Sequence, residues 1–295
     1  MFLALKPHLL IIFVFISPCH NTGDKIAQKG FLDFFFSPCN KCRCGVPNRE
    51  ARFHGGEYLR GYEFPWVALV QVHEEQHVES VPGTLINNRY VITSASPLAG
   101  LTPYHVKVTL GTYNKCIPDV SSANVSVSDI IIHPDFSAEN HANDIALLKL
   151  STPVVFERRI SPICLSIPSY NYLGQVATVV GWPKDKGATE SSCRPKKLGL
   201  PVLGGDECLE NTPHEFSADK GCIGLVGTVS VICGEDAGVP VMYRSHGGIY
   251  ELIGILTSQN KCVSEAKSVG LYTKINNHLS WIIHGTKDAC YCVKT

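Results

Sequence analysis

Short apolar and alternating runs recur along the chain from residue 64 onward, separated by Gly, Pro, Asn and Ser. The clearest runs are 66–70, 90–93, 106–110, 145–150, 176–180, 198–203 and 252–256. Runs of this length, with turn residues between them, predict many short β-strands in an all-β barrel or sandwich.

Only one stretch has the pattern of an amphipathic helix. In residues 274–284, Ile275, Leu279, Ile282 and Ile283 fall on one face at helical spacing. Residues 21–52 show no clear period but hold a cluster of Phe and then three Cys. The aromatic cluster either docks on the body of the protein or forms a partner surface, and composition does not separate the two.

The N-terminus has the features of a secretory signal peptide. Lys6 precedes the apolar run 9–16, and Ser17-Pro18-Cys19 supplies small residues before a cut near Cys19–His20. The apolar run is too short to span a bilayer unaided, although a retained signal anchor stays open as an alternative. We therefore expect a secreted, extracellular protein with no membrane association after signal removal.

The charge balance excludes several classes of partner. Among 295 residues, Lys+Arg and Asp+Glu are each 26, so the formal net charge is zero. A nucleic-acid binder or a polybasic membrane-surface protein needs a positive field, so neither is expected. Thirteen Cys against two Met indicate an oxidising compartment, and removal of Cys19 leaves twelve, an even number that suits disulfides.

Several strings, in this order and at these spacings, resemble trypsin- and chymotrypsin-like serine proteases over about residues 44–285. They are CGVPN (44–48), RFHGG (52–56), FPW (64–66), GTLI (83–86), VITSA (91–95), NDIALL (143–148), PICL (162–165), GW (181–182), GLYTK (270–274) and WI (281–282). The resemblance implies two packed six-stranded antiparallel β-barrels, a C-terminal α-helix and a cleft between the barrels.

The resemblance also predicts how the chain is divided. We expect a signal peptide at 1–19, a Cys-containing pro-segment at 20–52, a protease-homologue domain at 53–286 and a Cys-containing tail at 287–295. Within the domain the first barrel covers about 53–155, the second about 165–273 and the helix about 274–285.

The catalytic positions depart from the family pattern. Ser96 stands where the family has its histidine base, and a hydroxyl has no useful basicity near neutral pH. Asp144 matches the aspartate, and we interpret it as retained for structure. Ala237 stands at the nucleophile, and Glu235 replaces the glycine that donates an oxyanion-hole N–H.

These positions led to the prediction that the chain is not an enzyme and needs no cofactor or metal. The expected function is that of a secreted, non-catalytic serine protease homologue that binds an unknown protein, such as an active protease or its substrate. Family analogy makes it a cofactor, decoy or regulator in an extracellular proteolytic cascade of the invertebrate type. Two alternatives stay open: an enzyme of residual or unusual hydrolase activity, and a structural extracellular protein crosslinked by disulfides. His105, His133 and His141 are interpreted as solvated or structural.

The specificity pocket is also rebuilt. The resemblance places Val231 on its floor, where trypsins carry an acid, and matches Thr257-Ser258-Gln259 to the wall, with Gly270 nearby. Loss of the floor acid removes the partner for a Lys or Arg side chain. We expect a remnant cleft that either pairs with an extended peptide or is filled and unused.

Arg52–Phe53 resembles the activation bond, with Asp236 as the salt-bridge partner of the new N-terminus. Because Phe53 is bulkier than the usual Ile or Val, insertion of that terminus is in doubt. Two alternatives stay open: cleavage at this bond changes the conformation of surface loops, or the sequence is inherited from the family and has no effect.

The resemblance implies the disulfides Cys44–Cys164, Cys208–Cys222 and Cys233–Cys262. Six cysteines remain without an assigned pairing, namely Cys39, Cys42, Cys116, Cys193, Cys290 and Cys292. The Cys-x-x-Cys-x-Cys pattern near residue 40 can in principle bind zinc, but a secreted chain favours disulfides. Asn124-Val125-Ser126 is an acceptable N-glycan sequon.

Overall fold

The computed structural model of the chain describes residues 37–48, 61–74, 77–117, 119–166, 170–183, 191–212, 216–225, 236–257 and 268–294. The predicted signal peptide, the activation bond and part of the specificity pocket lie outside them.

The described residues form fifteen strands and two α-helices. In chain order the strands are β1 (Ser37–Arg43), β2 (Val67–Glu74), β3 (His77–Leu85), β4 (Tyr90–Thr93), β5 (Val106–Leu110), β6 (Ala123–Ile132), β7 (Ala146–Leu150), β8 (Cys164–Leu165), β9 (Val176–Gly181), β10 (Lys196–Pro201), β11 (Lys220–Leu225), β12 (Pro240–Arg244), β13 (Tyr250–Leu256), β14 (Ser268–Lys274) and β15 (Cys290–Val293). The helices are α1 (Gly205–Asn211) and α2 (Ile275–Gly285).

Strands β2 to β7 close into the first barrel in the order β2-β3-β4-β7-β6-β5. All neighbouring pairs are antiparallel, and β5 returns to pair with β2. The alternation read from the sequence decides which side chains enter it: in β5, Val106 and Val108 are buried and Lys107 is exposed.

The second barrel is a curled sheet in the order β10-β9-β12-β13-β14-β11. A bridge between Val202 and Ile223 brings its two edges together, and the short β8 adds to β13 in parallel. The prediction of two packed antiparallel barrels with a C-terminal helix is confirmed, with β8 as an extra strand.

Aromatic and apolar side chains join the barrels. Phe64 and Trp66, just before β2, pack against Tyr250 at the start of β13 with ring centroids 5.2 and 5.8 Å away. The Trp66 indole N–H also donates to the Met242 sulfur at 3.0 Å. Trp66 is fully buried, so both barrels contribute to a shared core.

The helix predicted near the C-terminus is confirmed as α2, which buries Ile275, Leu279 and Ile282. The prediction that only one stretch is helical was wrong, because α1 is a second helix. At seven residues α1 is too short to show a helical period in the sequence. The Glu207 carboxylate, which accepts the Gly204 N–H at 2.9 Å, caps its start.

The ends of the described chain are joined. Strand β1 pairs in parallel with β15, and the disulfides Cys39–Cys290 and Cys42–Cys292 link the two strands. These four cysteines are thereby used within the chain. The hypothesis of a protein crosslinked through them to other molecules loses the thiols that it requires.

No helix in the described ranges is long and apolar enough to cross a membrane.

Candidate functional site

Three segments meet where the barrels face each other. The first follows β4 and enters a 3-10 helix at Ser96–Leu98, and the second is the turn that leads into β7 at Asp144. The third is the end of β13, where the Gly238 N–H donates to the Leu256 carbonyl at 2.9 Å and holds the turn carrying Ala237. The fold therefore brings the predicted triad positions to one region.

Asp144 is completely buried, and its carboxylate accepts four hydrogen bonds from residues in the described ranges. Oδ1 accepts the backbone N–H groups of Ala95 and Ser96, both at 2.7 Å. Oδ2 accepts the hydroxyls of Ser96 at 3.1 Å and Thr257 at 2.6 Å. Four donors of this quality satisfy a buried carboxylate, as burial of a charged group requires.

Ser96 fills part of the space next to this carboxylate. Its hydroxyl contacts both Asp144 Oδ2 and, at 2.9 Å, the hydroxyl of Ser94. Two serines and a carboxylate thus form a short chain of hydrogen bonds at the position where the family pattern has an imidazole. None of these three side chains belongs to a residue type with an ordinary pKa near 7, so none of them can act as a general base in the way an imidazole does.

Ala237 lies half-buried on the turn before β12, and it presents a methyl group. The next residue fixes this turn against the first barrel. Gly238 has φ +90°, and a Cβ built on it would lie 2.4 Å from the Pro82 carbonyl oxygen and 2.5 Å from Thr93 Oγ1. Only glycine meets both conditions, so the backbone beside Ala237 is held by close contact between the barrels.

Thr257 has a hydrogen bond that the sequence did not predict. Predicted for the wall of the specificity cleft, it is 2% exposed, and its hydroxyl donates to Asp144. Thr273 was not predicted, and its hydroxyl donates to the Asp144 carbonyl oxygen at 3.1 Å. Sequence reasoning missed both hydrogen bonds because 113 and 129 residues separate the partners.

The other predicted site residues are only partly within the described ranges. Gly270 is buried in β14, where it pairs with Ile223 of β11, and Asp236 is half-buried beside Ala237. The residues outside the described ranges are Arg52, Phe53, Val231, Cys233, Glu235, Ser258, Gln259 and Cys262.

Five disulfides lie in the described residues. Besides the two between β1 and β15, they are Cys44–Cys164, Cys116–Cys193 and Cys208–Cys222. The described residues contain no group of three or more potential metal-ligating side chains, and Cys39, Cys42 and Cys44 are all disulfide-bonded. The Asn124 side chain is exposed on β6, and its carbonyl oxygen accepts the Thr109 hydroxyl at 2.7 Å.

One histidine pair lies beside the Asp144 turn. His278 of α2 contacts the Asn143 side-chain oxygen through Nε2 at 2.9 Å, and the His133 ring stands 5.0 Å from the His278 ring. Burial, followed by the nearby His278, lowers the pKa of His133 below its usual 6.5. His105 instead caps a short 3-10 turn by contacting Thr102.

Comparison with known proteins gives the family. The trypsin family profile matches residues 53–282. This chain belongs to the trypsin family. It is 28% identical over 263 residues to phenoloxidase-activating factor 1 of Holotrichia diomphalia, covering 81% of this chain and 71% of that protein. It is 28% identical over 259 residues to inactive CLIP domain-containing serine protease A28 of Anopheles gambiae, covering 83% and 68%. It is 29% identical over 265 residues to phenoloxidase-activating enzyme 1 of Spodoptera litura, covering 83% and 70%.

These comparisons contradict the prediction that the chain is not an enzyme. The relative from Spodoptera litura is named as an enzyme and matches this chain as closely as the relative named inactive. The trypsin family as a whole is mostly enzymatic. The relatives therefore do not support the prediction that this chain is not an enzyme. That holds even though Ser96 and Ala237 stand at two of the catalytic positions.

Proposed function

We propose that this trypsin-family chain is secreted and acts by binding a protein in an extracellular proteolytic cascade, as a cofactor, a decoy or a regulator. The names of its relatives support a place in such a cascade, since two of them are phenoloxidase-activating proteins. The disulfides of the described residues support an oxidising, extracellular compartment. The partner is an active protease or a protease substrate.

The observation that carries the proposal is the completed network around Asp144. The hydroxyls of Ser96 and Thr257 both donate to Asp144 Oδ2. These hydrogen bonds hold this side of the cleft in one arrangement without a bound molecule. Beside it, the turn at Ala237 is fixed by Gly238 and leaves its methyl partly exposed. A preformed surface of this kind binds a polypeptide at little cost in conformational entropy.

Site-specific photo-crosslinking tests the proposal. A photoreactive phenylalanine analogue replaces Ala237, and a control variant carries it at Tyr104, which is 94% exposed on the first barrel. Both variants are irradiated in extracellular fluid from the source tissue, and the adducts are identified by mass spectrometry. We expect one protein of the cascade to crosslink to position 237 and not to position 104. Adducts that are the same at both positions, or none at 237, would contradict cleft binding whether or not the chain also hydrolyses a bond.

A second candidate function is hydrolysis, which the relatives named as enzymes favour. The Ser96 hydroxyl and the Asp144 carboxylate are a nucleophile and a proton acceptor in contact at 3.1 Å. A carboxylate is a weaker base than the imidazole of the family pattern, so slow turnover is expected.

A fluorophosphonate probe tests this second candidate. Labelling that disappears in Ser96→Ala supports hydrolysis through Ser96. Absence of labelling, or labelling that persists in the variant, contradicts it.

A further inference from the structure

A cavity of about 330 Å³ opens on the flank of the second barrel. Its lining comes from the segment before β9, the segment between β10 and α1, the first residues of β11 and the junction of β14 with α2. Neither Thr257 nor Gly270, the described residues predicted for the specificity cleft, lines it. Its volume is at the lower end of the range for small-molecule sites.

Strand β14 separates this cavity from Asp144. Successive side chains of a strand point to opposite faces, so Thr273 reaches Asp144 while the adjacent Tyr272 points into the second barrel. The cavity is thus a separate site on the other face of the same strand.

Tyr272 places a hydroxyl on the cavity without a protein partner. The side chain is 4% exposed, and its hydroxyl makes no hydrogen bond within the described part of the chain. Burial raises the pKa of this phenol to about 12, so it is a neutral hydrogen-bond donor at physiological pH. A ligand in the cavity can therefore accept a hydrogen bond from this hydroxyl.

Two glycines shape this part of the cavity. A Cβ built on Gly221 would lie 2.5 Å from the Tyr272 hydroxyl oxygen, and one built on Gly254 would lie 2.1 Å from the ring. The ring therefore occupies space that any other residue at either position would fill. The phenol is held firmly by packing, while its hydroxyl stays available.

The remaining lining has an apolar part and a cationic part. Tyr172, Val202, Phe216 and Ile253 supply apolar and aromatic wall, and the more exposed Tyr170 and Leu173 mark the mouth. The charged lining residues in the described ranges are Lys220, which is 1% exposed, and Lys274. Their ammonium groups donate to the carbonyl oxygens of Asn140 and Ala218.

Two carboxylates lie close to the cavity but are not among its lining residues. Glu207 accepts the Gly204 N–H at the edge of the cavity. Asp219 accepts the Ser217 hydroxyl and the Asn143 N–H. The charged groups on the described cavity wall are the two lysines, so this wall favours an anion over a cation.

We propose that this cavity binds an amphipathic carboxylate, that is, a molecule with an apolar body and one carboxylate group. The apolar body lies against the aromatic wall, and the carboxylate accepts a hydrogen bond from the Tyr272 hydroxyl near the two lysines. A free aromatic or aliphatic acid and the C-terminus of a peptide ending in an apolar residue share this chemistry.

Phenylacetate and its uncharged analogue phenylacetamide are the matched probes, with binding followed by ligand-detected NMR and by the rise in melting temperature. We expect phenylacetate to bind and the amide to bind at least tenfold more weakly, because the lysines attract only the acid. Tyr272→Phe keeps the ring and removes the donor, so it should weaken phenylacetate binding about tenfold, the effect of one hydrogen bond to a charged group. Tyr104→Phe makes the same change on an exposed side chain and should leave binding unaltered.

Lys274→Gln is a second variant, in which the side-chain amide can still donate to the Ala218 carbonyl oxygen. It should reduce the preference for the acid over the amide. A short peptide ending in Phe, with a free or an amidated terminus, distinguishes the two sources: tighter binding of the free-terminus peptide than of phenylacetate supports a chain terminus, and the reverse supports a free acid. Equal binding of acid and amide, no binding of either class of acid, or unchanged binding in Tyr272→Phe would overturn the proposal. These outcomes do not depend on the proposed function of the cleft.

Discussion

Asp144 can be tested as a hydrogen-bond acceptor that is retained for structure. Asp144→Asn is the informative substitution because the amide has nearly the shape of the carboxylate. Its oxygen can still accept the N–H groups of Ala95 and Ser96, and its NH₂ would face the hydroxyls of Ser96 and Thr257. Hydroxyl groups accept as well as donate, so every hydrogen bond can be re-formed by rotation of two O–H groups.

The magnitudes follow from this geometry. In Asp144→Asn the acceptor becomes neutral, so each hydrogen bond weakens, but the cost of burying a charged carboxylate disappears. The free energy of unfolding should therefore fall by no more than about 2 kcal/mol. Asp144→Ala leaves the N–H groups of the buried Ala95 and the half-buried Ser96 without an acceptor, at up to about 1–3 kcal/mol each, for a loss of at most about 2–6 kcal/mol. Thr257→Val should cost about 1.5–3 kcal/mol, because its buried hydroxyl donates to a charged oxygen. Ser96→Ala should cost less, since water can reach this half-buried position.

Urea denaturation followed by tryptophan fluorescence measures all four variants. We expect Ser96→Ala to be less stable than the wild type but more stable than Thr257→Val. We also expect Asp144→Asn to be more stable than Asp144→Ala. If Asp144→Asn is as unstable as Asp144→Ala, the fold needs the negative charge and not the pattern of acceptors, and the argument is refuted. A Ser96→Ala variant less stable than Thr257→Val would equally contradict it.

Two further predictions concern the chain ends and pH. The Cys39–Cys290 and Cys42–Cys292 bridges close almost the same loop, with sequence separations of 251 and 250. Replacing either pair of cysteines by Ser should therefore lower the free energy of unfolding by only about 2 kcal/mol, whereas replacing both pairs should lower it by about 7 kcal/mol. Denaturation experiments in which the two single losses add up to the double loss would contradict this redundancy. Because the pKa of His133 is lowered on folding, its contribution to stability is present above pH 6.5 and is lost as pH falls through that value. Melting temperatures from pH 8 to 5 should fall less in His133→Gln than in wild type, and parallel curves would exclude this histidine as a source of the pH dependence.

Much of the fold follows from the pattern of apolar residues. The runs 90–93 and 106–110 coincide with β4 and β5, because each alternates or stays apolar over its length. The pattern fails for β11, whose sequence Lys-Gly-Cys-Ile-Gly-Leu holds two glycines and a lysine. Its lysine is buried because tertiary contacts satisfy it, which no local period can indicate.

The site was predictable by position but not by contact. Motif matching placed Ser96, Asp144 and Ala237, and the fold brings their segments together. The threonine hydroxyls that complete the network come from the second barrel, Thr257 directly after β13 and Thr273 in β14, and Thr is too common in β-rich chains to be singled out. The cavity beside Tyr272 left no local signal either, since it depends on glycines at two distant positions that leave room for one ring.

The arrangement of donors explains why the fold would keep an aspartate beside a serine. Asp144 belongs to the first barrel and takes two N–H donors from the segment after β4 of that barrel. Its other buried donors in the described ranges are on the second barrel: Thr257 directly follows β13, and Thr273 lies in β14. One residue thus ties both barrels together through its carboxylate and its carbonyl. An imidazole at position 96 contributes nothing to that connection, so the connection survives its replacement by Ser96, whereas loss of Asp144 would leave donors from both barrels unpaired in the interface.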